Sequence, residues 1–243
     1  MFANLLFQPA IMKQVIFLLC SLICSCAVHS QACDSYYFMV ANSTVEQTHF
    51  DDKGKLTLRT EFKVSDVKPA DNGSQATIGQ KLFDKKNKVI SESKANERCD
   101  GNNLYSDMKF SMPAGPVAPA GEVNASSNSV YLPYPRSMKA GDKLDDAKFS
   151  MSIDQGSIMQ DVERFIRNRQ AENEETITTP AGTWKCIKIS YDMEIVTRAA
   201  GIRIPMRLKG IEWYAPGFGV VKTQSMNKNG KLAGTSEITA IRK

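Results

Sequence analysis

The chain is almost without histidine. Its 243 residues include two, His29 and His49, too few for a His-rich zinc site. It has no G-x-S-x-G, no glycine loop to cradle phosphate, no H-E-x-x-H and no EF-hand spacing. Asp51-Asp52 and Asp145-Asp146 are paired carboxylates, but each pair sits beside lysine in turn-like sequence. Sequence neighbours do not make a glycosidase pair, which needs carboxylates set apart across a substrate. No catalytic residue, metal ligand or cofactor is assigned on these patterns. His49 falls in a strand-like stretch and reads as a packed or exposed side chain rather than a general base.

Long apolar runs are scarce too. The principal one, Val15 to Ile23, is short of the roughly 20 residues a membrane helix needs. It follows Lys13, and small and polar residues follow it, so residues 1–32 read as a signal peptide. Ser30 and Ala32 stand three and one before a cut that would leave Cys33 as the mature start. Met12-Lys13 makes a better start than Met1, because it places the charge beside the apolar run. A lipoprotein reading competes, since both Ile23-Cys24-Ser25-Cys26 and Gln31-Ala32-Cys33 offer a cysteine at a cut. Either way the expected destination is outside the cytoplasm, in the periplasm or at the outer-membrane surface.

What remains, 33–243, is long enough for one domain with a sizeable core. Ser111–Gly121 holds three prolines. It cannot be strand or helix interior and is the candidate internal boundary. Charge is uneven. Residues 33–163 carry 16 basic and 19 acidic side chains, and 164–243 carry 14 and 7. No basic run is interleaved with aromatics, so single-stranded nucleic acid is not an expected partner. Lipid or another envelope protein is.

Three cysteines lie beyond residue 32. Cys33-Asp34-Ser35 and Cys99-Asp100-Gly101 are polar and turn-like, whereas Cys186 lies inside an alternating apolar strand. In an oxidising compartment the expected bridge is Cys33–Cys99, with Cys186 reduced and packed as a small hydrophobe. A catalytic thiol at Cys186 would have no histidine partner.

The strongest positive signal is period-two alternation broken by turn residues. Leu56 to Val64 alternates with even positions toward a core, and Val45–Asp51 is its partner. Ser74–Phe83 pairs with Val89–Ala95, and Val220–Met226 with Leu232–Ile241. Their turns are alike: Asp51-Asp52-Lys53-Gly54-Lys55-Leu56, Asp84-Lys85-Lys86-Asn87-Lys88-Val89, and Asn227-Lys228-Asn229-Gly230-Lys231-Leu232. Each sets Gly or Asn where φ must be positive, then lysine, then an apolar strand start. A two-residue Asn229-Gly230 loop in the last hairpin sets Val221 opposite Ile238 and Lys222 opposite Glu237. The hairpin before it is given a four-residue loop, Arg198–Gly201, which sets Asp192 opposite Arg207 and Ser190 opposite Lys209. Arg203, Arg207 and Lys209 then form either an anion- or partner-binding face or ordinary cross-strand charge pairs. Tyr131–Pro135 reads as an extended edge. Met159–Ala171 suits helix or strand, and strand is preferred because Asn168 and Thr176–Thr179 disfavour helix. Eleven or twelve strands with little helix predict an antiparallel sheet curled into a barrel, half-barrel or sandwich.

Three segments carry a resemblance: Cys33-Asp34-Ser35-Tyr36-Tyr37-Phe38, Thr179-Pro180-Ala181-Gly182-Thr183-Trp184-Lys185-Cys186, and Glu212-Trp213-Tyr214-Ala215-Pro216-Gly217-Phe218-Gly219. With them the chain resembles the TapB-like proteins, exported proteins of Bacteroidota-type bacteria similar to the domain-of-unknown-function 3108 group. The resemblance implies a β-barrel-like domain and an envelope location, and brings no catalytic residues. The expected function is non-catalytic: a curved sheet that holds an apolar ligand or docks on an envelope component. The rival is an envelope hydrolase working through carboxylates.

Overall fold

A computed structural model describes residues 33–70, 73–109, 125–126, 130–154 and 159–243. The assigned signal peptide, 1–32, and the proline-rich 111–121 lie outside them. Alternation becomes thirteen strands: β1 Thr44–Asp51, β2 Leu56–Ala70, β3 Gly73–Asp84, β4 Val89–Cys99, β5 Asn103–Asp107, β6 Ala125–Ser126, β7 Tyr131–Pro135, β8 Ala147–Asp154, β9 Met159–Thr179, β10 Gly182–Ala199, β11 Ile202–Ala215, β12 Gly219–Asn227 and β13 Leu232–Arg242. All pairs described are antiparallel, in one sheet ordered β6-β8-β9-β10-β11-β12-β13-β1-β2-β3-β4-β5-β7. The sheet curls until its far edge returns: Arg169 of β9 donates to the Pro133 carbonyl of β7 at 3.2 Å, and Tyr134 of β7 reaches Glu212 of β11 at 2.8 Å. The result is a nearly closed barrel, in which Tyr131–Pro135 is indeed an edge strand. Among the described residues no helix is long and apolar enough to cross a membrane.

The three similar turns share one construction. Asp51, Asp84 and Asn227 each accept at Oδ1 from two backbone N–H groups of their own turn. Gly54, Asn87 and Gly230 sit at φ 74°, 64° and 76° and close the loop. Each loop therefore has three residues and a bulge, because the side-chain cap favours the longer form. The two-residue Asn229-Gly230 loop is corrected on this point. Lys222 still faces Glu237, because a second bulge at Ser225/Met226 restores the register.

The β10–β11 hairpin differs more. Ala200 and Gly201 turn alone, at φ 48° and 78°. Two central residues with positive φ make a tight turn that follows the twist of the ribbon. Asp192 consequently faces Lys209, Glu194 faces Arg207, and Ser190 faces Ile211. The expected pairings of Asp192 with Arg207 and Ser190 with Lys209 are replaced. A shift of two residues keeps the faces, so Ile189, Tyr191 and Met193 still point inward and are buried.

Met159–Ala171 is strand, within β9. Asn168, at φ 56°, is held by the Asp146 carboxylate accepting from its N–H at 2.8 Å. It lies where β9 carries an extra residue against β10. Such a bulge re-aims the side chains that follow it. The inward face moves from Arg164 and Ile166 to Arg169 and Ala171, all buried.

The hairpin order fixes two unlike ends. The turns of β1–β2, β3–β4, β10–β11 and β12–β13 all lie at one end, here the tip end. At the other, Cys33 is bridged to Cys99 with Cα atoms 5.9 Å apart. A 3-10 turn, Tyr37–Met39, follows and plugs that end. Five rings cross it in succession, Phe62, Phe38, Tyr37, Phe218 and Trp184, with neighbouring centroids 4.2–5.3 Å apart. Tyr37 is seated on Gly219, where a Cβ would come within 2.5 Å of its ring.

Candidate functional site

The chemistry-bearing groups inside the barrel come from β7, β9, β10 and β11. Glu212 lies on the inward face of β11, opposite Ile189. Its carboxylate accepts from the Tyr134 hydroxyl at 2.8 Å and from Tyr191. Tyr191 has room because Gly210 faces it, where a Cβ would come within 2.2 Å of the ring. Arg169 lies 4.9 Å from the Tyr134 ring centroid and donates to the carbonyls of Pro133 and Asp145 at 3.2 Å. Arg164 is buried on the same inward face, close enough for Glu212 to stabilise its charge. Tyr134 in turn stacks on Tyr214, whose hydroxyl is 3.1 Å from that of Tyr36.

The electrostatics favour a clamp over a reactive centre. Buried charge is costly unless paired, and here two guanidiniums and one carboxylate share an interior with four phenols. Burial, together with the Glu212 charge, pushes the Tyr134 and Tyr191 hydroxyls far above their ordinary range, so both stay protonated donors. Neither is poised to give up a proton near neutrality. What the network does is mechanical: it ties β7, which among the described residues lacks a paired strand on one side, to β9 and β11, and so closes the seam.

A second buried group has more latent chemistry. Glu97 and Asp107 are both fully buried. Glu97 Oε1 accepts from Ser106 at 2.8 Å, while Glu97 Oε2 and Asp107 Oδ2 have no hydrogen-bond partner among the described residues. Burial pushes the Glu97 carboxyl well up, with the Asp107 charge adding to it.

The residues singled out from sequence fall elsewhere. Arg203 and Arg207 approach Glu194 at 3.6 and 3.3 Å, and Arg167 joins them at 3.5 Å. Lys209, exposed, faces Asp192. Cys186 is buried, and burial pushes its thiol up to about 12. His49 packs between Ser236 and Thr60, each hydroxyl 2.8 Å from a ring nitrogen, and burial lowers its pKa to about 4. Among the described residues no group of three or more His, Cys, Asp or Glu is placed to hold a metal ion. Sequence reading passed over Tyr134, Glu212, Glu97 and Asp107. The available signal was a charge on an inward face: Arg164 stands between Val162 and Ile166, and Glu212 between Gly210 and Tyr214.

A family model described as DUF3108-like matches residues 42–238. The chain belongs to the DUF3108-like family. Two solved structures share the fold of this DUF3108-like chain. One is a candidate lipoprotein from Parabacteroides distasonis, 21% identical, with TM-score 0.72 over 85% of this chain and 98% of that one. The other is a candidate exported protein with a YmcC-like fold from Bacteroides fragilis, 23% identical, with TM-score 0.70 over 84% and 96%. No curated protein matches. In this DUF3108-like chain the three segments behind the sequence resemblance meet at the plugged end, where Tyr37, Trp184, Tyr214 and Phe218 pack. The recognisable motif is thus the plug and its supports.

Proposed function

We propose that the protein is an exported, non-catalytic component of a bacterial cell envelope that works through its surface. The observation that carries this is the filled interior. Arg169, Tyr36, Tyr214, Phe149, Ile78 and Met108 are large and fully buried. They occupy the space a carrier would need for a ligand of several hundred cubic ångströms. The apolar run before Cys33 supports export, as does the kinship in fold with a candidate lipoprotein and a candidate exported protein. Fractionation of the source cells tests the location: the protein is expected with the envelope, and recovery from the cytoplasm refutes export. Native mass spectrometry of the envelope-purified protein tests the scaffold reading. A lipid that stays bound through desolvation and gas-phase activation would restore the carrier.

A hydrolase is the second reading, because Glu97 and Asp107 are two buried carboxyl groups, and burial pushes that of Glu97 well upward. Glu97→Gln separates the two. Hydrolysis of cell-wall or lipid ester substrates by the purified parent, lost in a Glu97→Gln variant that melts at the parent's temperature, supports the hydrolase, and no hydrolysis by the parent removes it.

A further inference from the structure

The exposed apolar side chains are not scattered. Among the described residues six large hydrophobics are exposed, Leu56, Val89, Ile202, Ile204, Met206 and Leu232, each between 37 and 64% accessible. All six lie at the tip end. Leu56, Val89 and Leu232 hold the same position in the three similar turns, one residue after the lysine, and Ile202 follows the β10–β11 turn directly. The β10–β11 ribbon runs further than β12, while on its other side β9 accompanies it as far as the turn. Leu208 is the last residue of β11 paired with β12. Ile202–Arg207 therefore extend roughly 20 Å past it at about 3.3 Å per residue.

The same tips are cationic. The segments 51–56, 84–89 and 227–232 contain seven lysines and three aspartates. Two of those aspartates, Asp51 and Asp84, are engaged with backbone N–H groups of their own turns. The fourth tip adds Arg198, which is paired with Glu163, and Arg203. Behind it three guanidiniums, from Arg167, Arg203 and Arg207, converge on the single carboxylate of Glu194, which leaves an excess of positive charge.

From this arrangement we infer that the tip end docks on a phospholipid bilayer bearing anionic headgroups. The apolar side chains of the tip that reaches furthest enter the boundary between headgroup and acyl chain, and the lysines of the shorter turns meet phosphate. Charge complementarity argues for lipid, since cations near such a surface are attracted individually and additively. The shape of the surface argues the same way. Leu56, Val89 and Leu232 stand singly on separate turns and Ile202, Ile204 and Met206 make one narrow stripe, less than the area a protein interface needs, whereas a bilayer requires no complementary shape. Pro205 and the flanking cations also guard the free edge of β11 against addition of a partner strand. The inference rests on the surface-acting envelope role proposed above and names its partner.

The test is co-sedimentation of the full chain with vesicles of phosphatidylcholine alone and of phosphatidylcholine mixed with phosphatidylglycerol. The expected result is binding to the mixed vesicles that weakens with salt. Lys55→Gln, Lys88→Gln and Lys231→Gln together should lower partitioning about ten-fold or more. Leu56→Ser, Val89→Ser, Ile202→Ser and Leu232→Ser together should lower it while leaving the melting temperature in place, because all four side chains are exposed. Equal binding to both vesicle types, or variants that bind like the parent, would overturn the inference. So would a photo-crosslinker at position 202 that captures a polypeptide instead of lipid in native envelopes. Failure here leaves the fractionation result standing, so the partner and the location are judged separately.

Discussion

The two ends of the barrel are built from opposite materials. The plugged end concentrates a disulfide, a run of five aromatic rings and the Tyr134–Glu212 clamp, and its side chains are mostly buried. The tip end concentrates lysines and exposed aliphatic side chains on short turns. Between them, nearer the tips, the lining turns from aromatic to hydroxylic, with His49 between Thr60 and Ser236. Stability and surface chemistry are therefore segregated along the barrel axis, and substitutions at the two ends should behave differently.

The largest effect is expected at the plug. Tyr214 is a fully buried ring that stacks on Tyr134 and touches the Tyr36 hydroxyl. Tyr214→Ala should cost about 3–5 kcal/mol in urea unfolding. A cost below about 1 kcal/mol would mean that the plug is not the stable half. Next comes the bridge between Cys33 and Cys99. Cys33→Ser with Cys99→Ser should lower stability by about 2–4 kcal/mol, and reduction of the parent should give the same loss.

The middle of the barrel is probed by pH. The folded state favours the neutral His49 ring, with a pKa near 4 against an unfolded value of 6.5. Between these values the unfolded chain binds the extra proton. The contribution is therefore complete above about pH 6.5 and is lost as pH falls toward about 4, by up to about 3 kcal/mol. His49→Gln should flatten that acid limb of a stability–pH curve, and an unchanged limb would assign it to other groups. Smallest is the tip end, where Leu56→Ser, Val89→Ser and Leu232→Ser should each fall within about 0.5 kcal/mol of the parent. Larger losses there would erase the distinction between the ends.

Much of this plan was legible in residue order, and the reasons for the exceptions are local. Strand existence could be read because a half-buried strand must alternate, as Thr60, Phe62 and Val64 do. The turns could be read because Gly54, Asn87 and Gly230 are residues that tolerate positive φ. Register was less accessible. Bulges at Asn168 and Ser225/Met226 displace pairing without marking the sequence, and Ala200 adopts a conformation that alanine rarely does. The alternation of Ile202, Ile204 and Met206 marked one face correctly, yet that face is bare because β12 ends before reaching it. The seam clamp was hidden for a different reason. Tyr134 and Glu212 are 78 residues apart, and only the curling of the whole sheet brings them together.

The placement of Cys33 has a geometric corollary. Held to Cys99, it fixes the start of the described chain at the plug. The four cationic turns face the other way. Strands of β3's length set the two apart by roughly 40 Å, at about 3.3 Å per residue. Seen so, the barrel is a spacer of fixed span, with one sulfur–sulfur link holding its near end.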